Sequence, residues 1–159
     1  MSIHIKIPWG NKYVLENLVF DLNGTLANDG EVTEETKKLL KELSNEIIIH
    51  VITADTHNTA DDLKKELDGI ATVMVLQGDD HTTEKAQFVK GLGYRTTAAV
   101  GNGANDVKMV EEAILSFGVM GKEGFYAPML SRVDLLVGHI DVAIEMFLNP
   151  MKIVASLRK

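Results

Sequence analysis

The chain has 159 residues, 45% of them hydrophobic, enough to bury a substantial core and most simply a single domain. A formal net charge of −7 without a basic patch excludes nonspecific binding to nucleic acid or to an anionic membrane. The absence of cysteine excludes disulfides and thiolate metal sites and suits a reducing cytoplasm, and no apolar stretch approaches the ~20 residues that span a bilayer. In chain order, Met1 to Ile7 alternates as a strand and turns at Pro8-Trp9-Gly10-Asn11. It pairs with a short strand around Tyr13 to Leu15, forming a hairpin over which Trp9 is expected to pack. The apolar run Leu18-Val19-Phe20 ends in Asp21, followed by Leu22-Asn23-Gly24-Thr25, so a buried strand delivers one carboxylate to the rim of a sheet. Asn28-Asp29-Gly30 reads as a tight turn, and Thr33 as the N-cap of a helix ending at Ser44. Lys37, Lys38 and Lys41, like Lys64 and Lys65 later, lie beside acidic residues at helical spacing and read as solvated helix faces.

Ile47 to Ile52 is a β-branched strand apart from His50, which reads as a core or edge histidine; the strand ends at Thr53-Ala54-Asp55. A helix from Asn58 to Leu67 leads to a strand over Thr72 to Leu76. Thr82 or Thr83 then caps a helix carrying Lys85, Phe88 and Val89, which Gly91 and Gly93 stop. Thr97 to Val100 is a further strand, ending at Gly101-Asn102-Gly103-Ala104-Asn105-Asp106 before a helix with Val107, Met109, Val110 and Ala113. Strands over Leu115 to Met120 and Val133 to Val137 precede one or two amphipathic helices broken near Pro150. His57, His81 and His139 lack metal-ligand spacing and read as surface residues. Strands and helices alternating at short intervals predict a parallel, Rossmann-like sheet in a three-layer α/β sandwich, with the hairpin at its N-terminus.

In such a sheet ligands bind outside the carboxyl ends of the strands. Each strand end here offers a different polar group. Asp21 is a carboxylate able to attack phosphorus, Thr53 a hydroxyl donor, Lys85 a fixed positive charge, and Asn102, Asn105 and Asp106 a set of oxygen ligands for a divalent cation. Alone, Asp21 reads equally as a turn or cap residue; the ordered set favours phosphoryl transfer.

The motifs Asp21-Leu22-Asn23-Gly24-Thr25-Leu26, Ile52-Thr53-Ala54-Asp55, Glu84-Lys85-Ala86 and Gly101-Asn102-Gly103-Ala104-Asn105-Asp106 resemble those of the haloacid dehalogenase superfamily. Within it they are similar to the catalytic core of P-type ATPases, and the whole chain to small soluble P-type ATPase-like proteins. The resemblance implies attack by Asp21 on a phosphate ester or anhydride, with Thr53, Lys85 and Asn105 binding the phosphate. It also implies Mg²⁺ held by Asp21, the carbonyl of Asn23, Asn102 and Asp106. Two positions depart from the family pattern. Asn23 stands where family phosphatases carry an acid–base Asp, which predicts slow turnover or a persistent aspartyl phosphate. Asn102 stands where a first hinge Asp would bind metal, shifting that burden toward Asp106. One helix and one strand fill each interval between Asp21, Thr53 and Lys85, leaving no room for a cap domain. An open mouth suits a macromolecular phospho-substrate, or a site closed by a neighbouring copy in a homo-oligomer. The alternatives are a catalytically impaired phosphate- or partner-binding regulator, and a receiver-like phosphoacceptor against which the Asp-x-Asn-Gly-Thr segment speaks. Dinucleotide binding at Gly101-x-Gly103 lacks its third glycine.

Overall fold

A computed structural model of the chain describes residues 1–54 and 59–159. Strands β1 (Ile3–Lys6) and β2 (Lys12–Leu15) pair antiparallel as a separate two-stranded sheet. The main sheet contains β3 (Asn17–Asp21), β4 (Ile48–Thr53), β5 (Ala71–Val75), β6 (Thr97–Gly101), β7 (Leu115–Val119) and β8 (Leu135–Val137). Its order is β5-β4-β3-β6-β7-β8, with every pairing parallel. Strand order therefore reverses between β3 and β6, the point at which open α/β sheets leave a crevice at their carboxyl ends.

The helices are α1 (Glu34–Leu43), α2 (Thr59–Glu66), α3 (His81–Leu92), α4 (Val107–Glu112), α5 (Ile140–Leu148) and α6 (Met151–Leu157). Alternation along the strands divides the core into two. Leu18 and Phe20 of β3 and Val100 of β6 join Leu40, Ile144 and Ile153 from α1, α5 and α6. Val19 and Ala99, pointing the other way, join Val89 and Met109 from α3 and α4. A period of two in β3 and β6 thus buries both faces, giving the three layers. Ile3, Ile5 and Leu15 of the hairpin belong to the first of these cores. Among the described residues no helix is long and apolar enough to cross a membrane.

Local chemistry sets most boundaries. The Asn28–Glu31 pair exchanges two backbone hydrogen bonds around Asp29 and Gly30, both at positive φ (52° and 81°), as a two-residue hairpin turn requires. The Thr33 side chain accepts from the N–H of Thr36, capping α1. Helix α3 differs from expectation. Its N-cap is Asp80, whose carboxylate accepts from the N–H of Thr83, so Thr82 and Thr83 lie within the first turn. A carboxylate three residues before a free N–H captures it and adds a favourable charge at the helix start. Gly91 lies inside this helix, which stops at Gly93 (φ 105°) alone. Trp9 also departs from expectation, being fully exposed at φ 53° in the hairpin turn. His50 is buried, as expected, with its ring nitrogens on Thr72 (2.8 Å) and Asn17 (3.0 Å) and its pKa lowered by burial. His139 is a surface residue that caps α5, its Nδ1 accepting from the N–H of Asp141. Asp55, His57 and the expected helix start at Asn58 lie outside the described residues.

Candidate active site

Asp21 ends β3, Asn102 follows β6, and Lys85 projects from the second turn of α3; all three are buried. Lys85 is 1% exposed and its Nζ stands 2.8 Å from Asp21 Oδ1 and 2.8 Å from Asp106 Oδ1. Helix α3 is held in register for this contact by Glu84, whose carboxylate accepts from the N–H groups of Gln77 (3.2 Å) and Gly78 (2.9 Å) after β5. Asp106 is wholly buried, its Oδ2 accepting from the N–H groups of Asn102 (3.0 Å) and Gly103 (3.1 Å). A Cβ on Gly101 would lie 2.7 Å from Asp106, so the strand must end in glycine for the carboxylate to fold back over it. Both Asp106 oxygens are thus engaged by Lys85 and its own loop. Asp106 thereby anchors the lysine.

The Thr25 hydroxyl stitches the first loop to the fourth, lying 3.2 Å from Asp21 Oδ2 and 3.1 Å from Asn102 Oδ1. It has one proton for two acceptors. Asn23 Nδ2 lies 3.5 Å from the Thr53 hydroxyl, which is buried behind it at the end of β4. Asp21, Asn23, Lys85, Asn102 and Asn105 line a cavity of about 430 Å³, with Ala54, not Thr53, forming the wall at β4. The opposite wall is Glu123, Phe125 and Tyr126, from the loop after β7. Sequence reasoning missed these three. Lys122-Glu123-Gly124 reads as an ordinary charged turn, and the only signal for it was the parallel order that brings the end of β7 to the same rim. Phe125 reaches the wall because Gly118 of β7 offers no side chain beneath its ring.

The charge balance is uneven. Burial, reinforced by the nearby Asp106 charge and only partly opposed by Lys85, pushes Asp21 from its ordinary 3.8 up to about 7. Burial draws Lys85 down, but Asp21 and Asp106 together hold it above its ordinary value and keep it charged. Two buried carboxylates facing one ammonium, with one acceptor oxygen short of a proton, make a site whose chemistry fits a divalent cation. Among the described residues no three His, Cys, Asp or Glu side chains converge as a metal cluster. The oxygens at the cavity wall are those of two carboxylates, Asp21 and Glu123, with amide and backbone oxygens, a set that fits Mg²⁺, an ion that binds through one or two carboxylates and keeps several waters.

No family profile matches the chain. The chain has the haloacid dehalogenase fold. It superposes on 3-deoxy-D-manno-octulosonate 8-phosphate phosphatase from Moraxella catarrhalis, solved with magnesium, phosphate and its sugar acid, at a TM-score of 0.67 and 22% identity, covering 91% of this chain and 94% of that one. A haloacid dehalogenase superfamily hydrolase from Legionella pneumophila gives 0.69 at 17% identity, covering 90% and 87%. In sequence the chain resembles P-type ATPases. It is 36% identical over 85 residues, 50% of its length, to a probable phospholipid-transporting ATPase of Arabidopsis thaliana, and 25% identical over 121 residues, 76% of its length, to one of Caenorhabditis elegans. The chain spans 7% and 10% of the length of those two transporters.

Proposed function

We propose that the chain is a Mg²⁺-dependent phosphohydrolase of the haloacid dehalogenase type, acting on a phosphate ester or anhydride through an aspartyl phosphate on Asp21. The observation that carries this reading is Lys85, buried between Asp21 and Asp106 at the floor of the cavity. An Asp21 oxygen attacks phosphorus, the bond from phosphorus to the leaving oxygen breaks, and that oxygen takes a proton from water. Water then attacks the phosphorus of the acyl phosphate, releasing inorganic phosphate and restoring the carboxylate. Lys85 offsets the developing negative charge, Asn105 donates to the phosphoryl oxygens, and Thr53 acts from behind by fixing Asn23. Mg²⁺, held by Asp21, the Asn23 carbonyl and Asn102, would supply further positive charge to the phosphoryl group.

Asn23 has no titratable proton, so both steps lack the acid–base help that is worth about 10²–10⁴ in rate. Slow turnover and a persistent phosphoenzyme follow. A second reading, a phosphate- or partner-binding regulator without turnover, is favoured by the same residue, whose amide lies against Thr53.

The test is incubation with acetyl phosphate, p-nitrophenyl phosphate and ATP in the presence of Mg²⁺, following phosphate release and acid-stable, hydroxylamine-labile protein labelling together. Turnover that Asp21→Asn abolishes supports the enzyme. Labelling without turnover supports a switch. Neither, with measurable phosphate binding, leaves the regulator.

A further inference from the structure

We propose that Glu123 is a cation ligand of this site, supplying from the β7–β8 loop the carboxylate that Asn102 does not. The inference rests on the cation-dependent reading above and assigns a residue outside all four motifs. Mg²⁺ takes one or two carboxylates, and only Asp21 and Glu123 bring one to the cavity wall among the described residues. Position 102 is an amide, and Asp106 is committed to Lys85 and two backbone N–H groups.

The loop carrying Glu123 is fixed to the two segments whose oxygens surround the cation position. The N–H of Tyr126 donates to the carbonyl of Asn102 (2.8 Å), and a Cβ on Gly121 would stand 3.1 Å from the carbonyl of Gly24. Gly24 sits at φ 77° without a side chain, and the space its Cβ would fill is occupied by the Glu123 carboxylate on one side and Asn102 Nδ2, at 2.7 Å, on the other. The carboxylate therefore lies over the backbone between Asn23 and Thr25, beside Asn102. Among the described residues no hydrogen bond or ion pair engages it, and the adjacent Lys122 is turned to Asp29 (3.5 Å). Independently, when Asp21 is ionised the single Thr25 proton leaves one of two buried oxygens, Asp21 Oδ2 or Asn102 Oδ1, without a donor. A cation between that oxygen and Glu123 satisfies both.

Mn²⁺ is the probe, its free-ion electron paramagnetic resonance signal measured against protein concentration at constant ionic strength and without substrate. Glu123→Gln, an exposed and nearly isosteric change, is expected to weaken Mn²⁺ binding at least about tenfold, the lower end of what disturbing a metal site costs. Adding Asn102→Asp to that variant should restore affinity. Glu46→Gln, the same charge loss at the opposite end of the sheet, should leave it unchanged. Wild-type binding that Asp21→Asn weakens but Glu123→Gln does not overturns the assignment of Glu123 alone. Equal losses in Glu123→Gln and Glu46→Gln also overturn it, by reducing the effect to long-range charge. Absence of Mn²⁺ binding, or binding indifferent to Asp21→Asn, overturns this assignment together with the cation-dependent reading of the site.

Discussion

Asp21 is the residue whose environment works hardest against its charge. Its pKa is lifted from 3.8 to about 7, first by burial and then by Asp106, so the folded protein binds this proton more tightly than the unfolded chain does. Its contribution to stability is complete below pH 3.8 and is lost as pH rises through about 7. Asp21→Asn lacks that dependence and leaves Lys85 paired one to one with Asp106. Without divalent cation, the stability of this variant relative to wild type should rise between pH 4 and pH 8, by on the order of a few kcal/mol at most. Urea denaturation at a series of pH values checks this, and a flat difference would refute the burial argument. Lys85 is the converse case. Lys85→Met leaves two buried carboxylates without a counter-charge and should cost about 3–5 kcal/mol and, under the proposed function, abolish phosphoryl transfer. At this scale the sequence made placement legible wherever a candidate side chain closes a strand: Asp21 after an apolar run, and Asn102 after Val100-Gly101. It was not legible where a role depends on a partner distant in sequence. Thr25 bridges Asp21 and Asn102, and Asp106 turns inward to Lys85, and no local pattern announces either contact.

Helix α3 shows how an element carries a site residue to its place. Its first turn is tied to the end of β5 by the Glu84 carboxylate, which accepts from Gln77 and Gly78, and by the Asp80 cap. A Cβ on Gly78 would lie 2.6 Å from Glu84, so the loop's glycine permits this bond. Glu84→Ala should cost about 1 kcal/mol, the usual net worth of such hydrogen bonds at an exposed position. The more telling result is kinetic: if Glu84 positions Lys85, the proposed phosphoenzyme formation should slow more than the stability loss explains, and Glu84→Gln, which keeps one acceptor oxygen, should recover part of it. The amphipathic spacing of Lys85 and Val89 made this helix legible, but its start was misplaced. Thr82 and Thr83 are good caps in isolation, and only the folded loop shows that Asp80 reaches the Thr83 N–H first.

Across the whole molecule, the fold was legible because hydrophobic periodicity and short connections leave few alternatives to a parallel sheet, and the reversal of strand order between β3 and β6 then puts Asp21 beside Asn102. The hairpin is the part whose relation to the rest the sequence left open. It forms its own sheet, yet Ile5 and Leu15 share a core with β3, α1 and α6, and Glu16 joins the two sheets, its N–H donating to Thr96 (2.8 Å) and its carbonyl accepting from Ile48 (3.0 Å). A hairpin packed this way should unfold with the site, not before it. Ile5→Ala should then cost about 2–5 kcal/mol and lower the midpoint of one transition, reported alike by far-ultraviolet circular dichroism and by amide hydrogen exchange in β3. Trp9→Ala, at a fully exposed turn position, should shift it by less than about 0.5 kcal/mol. If Ile5→Ala instead produces an early transition that spares the β3 amides, the hairpin is an appended module, and the residues from Asn17 onward hold the candidate site without it.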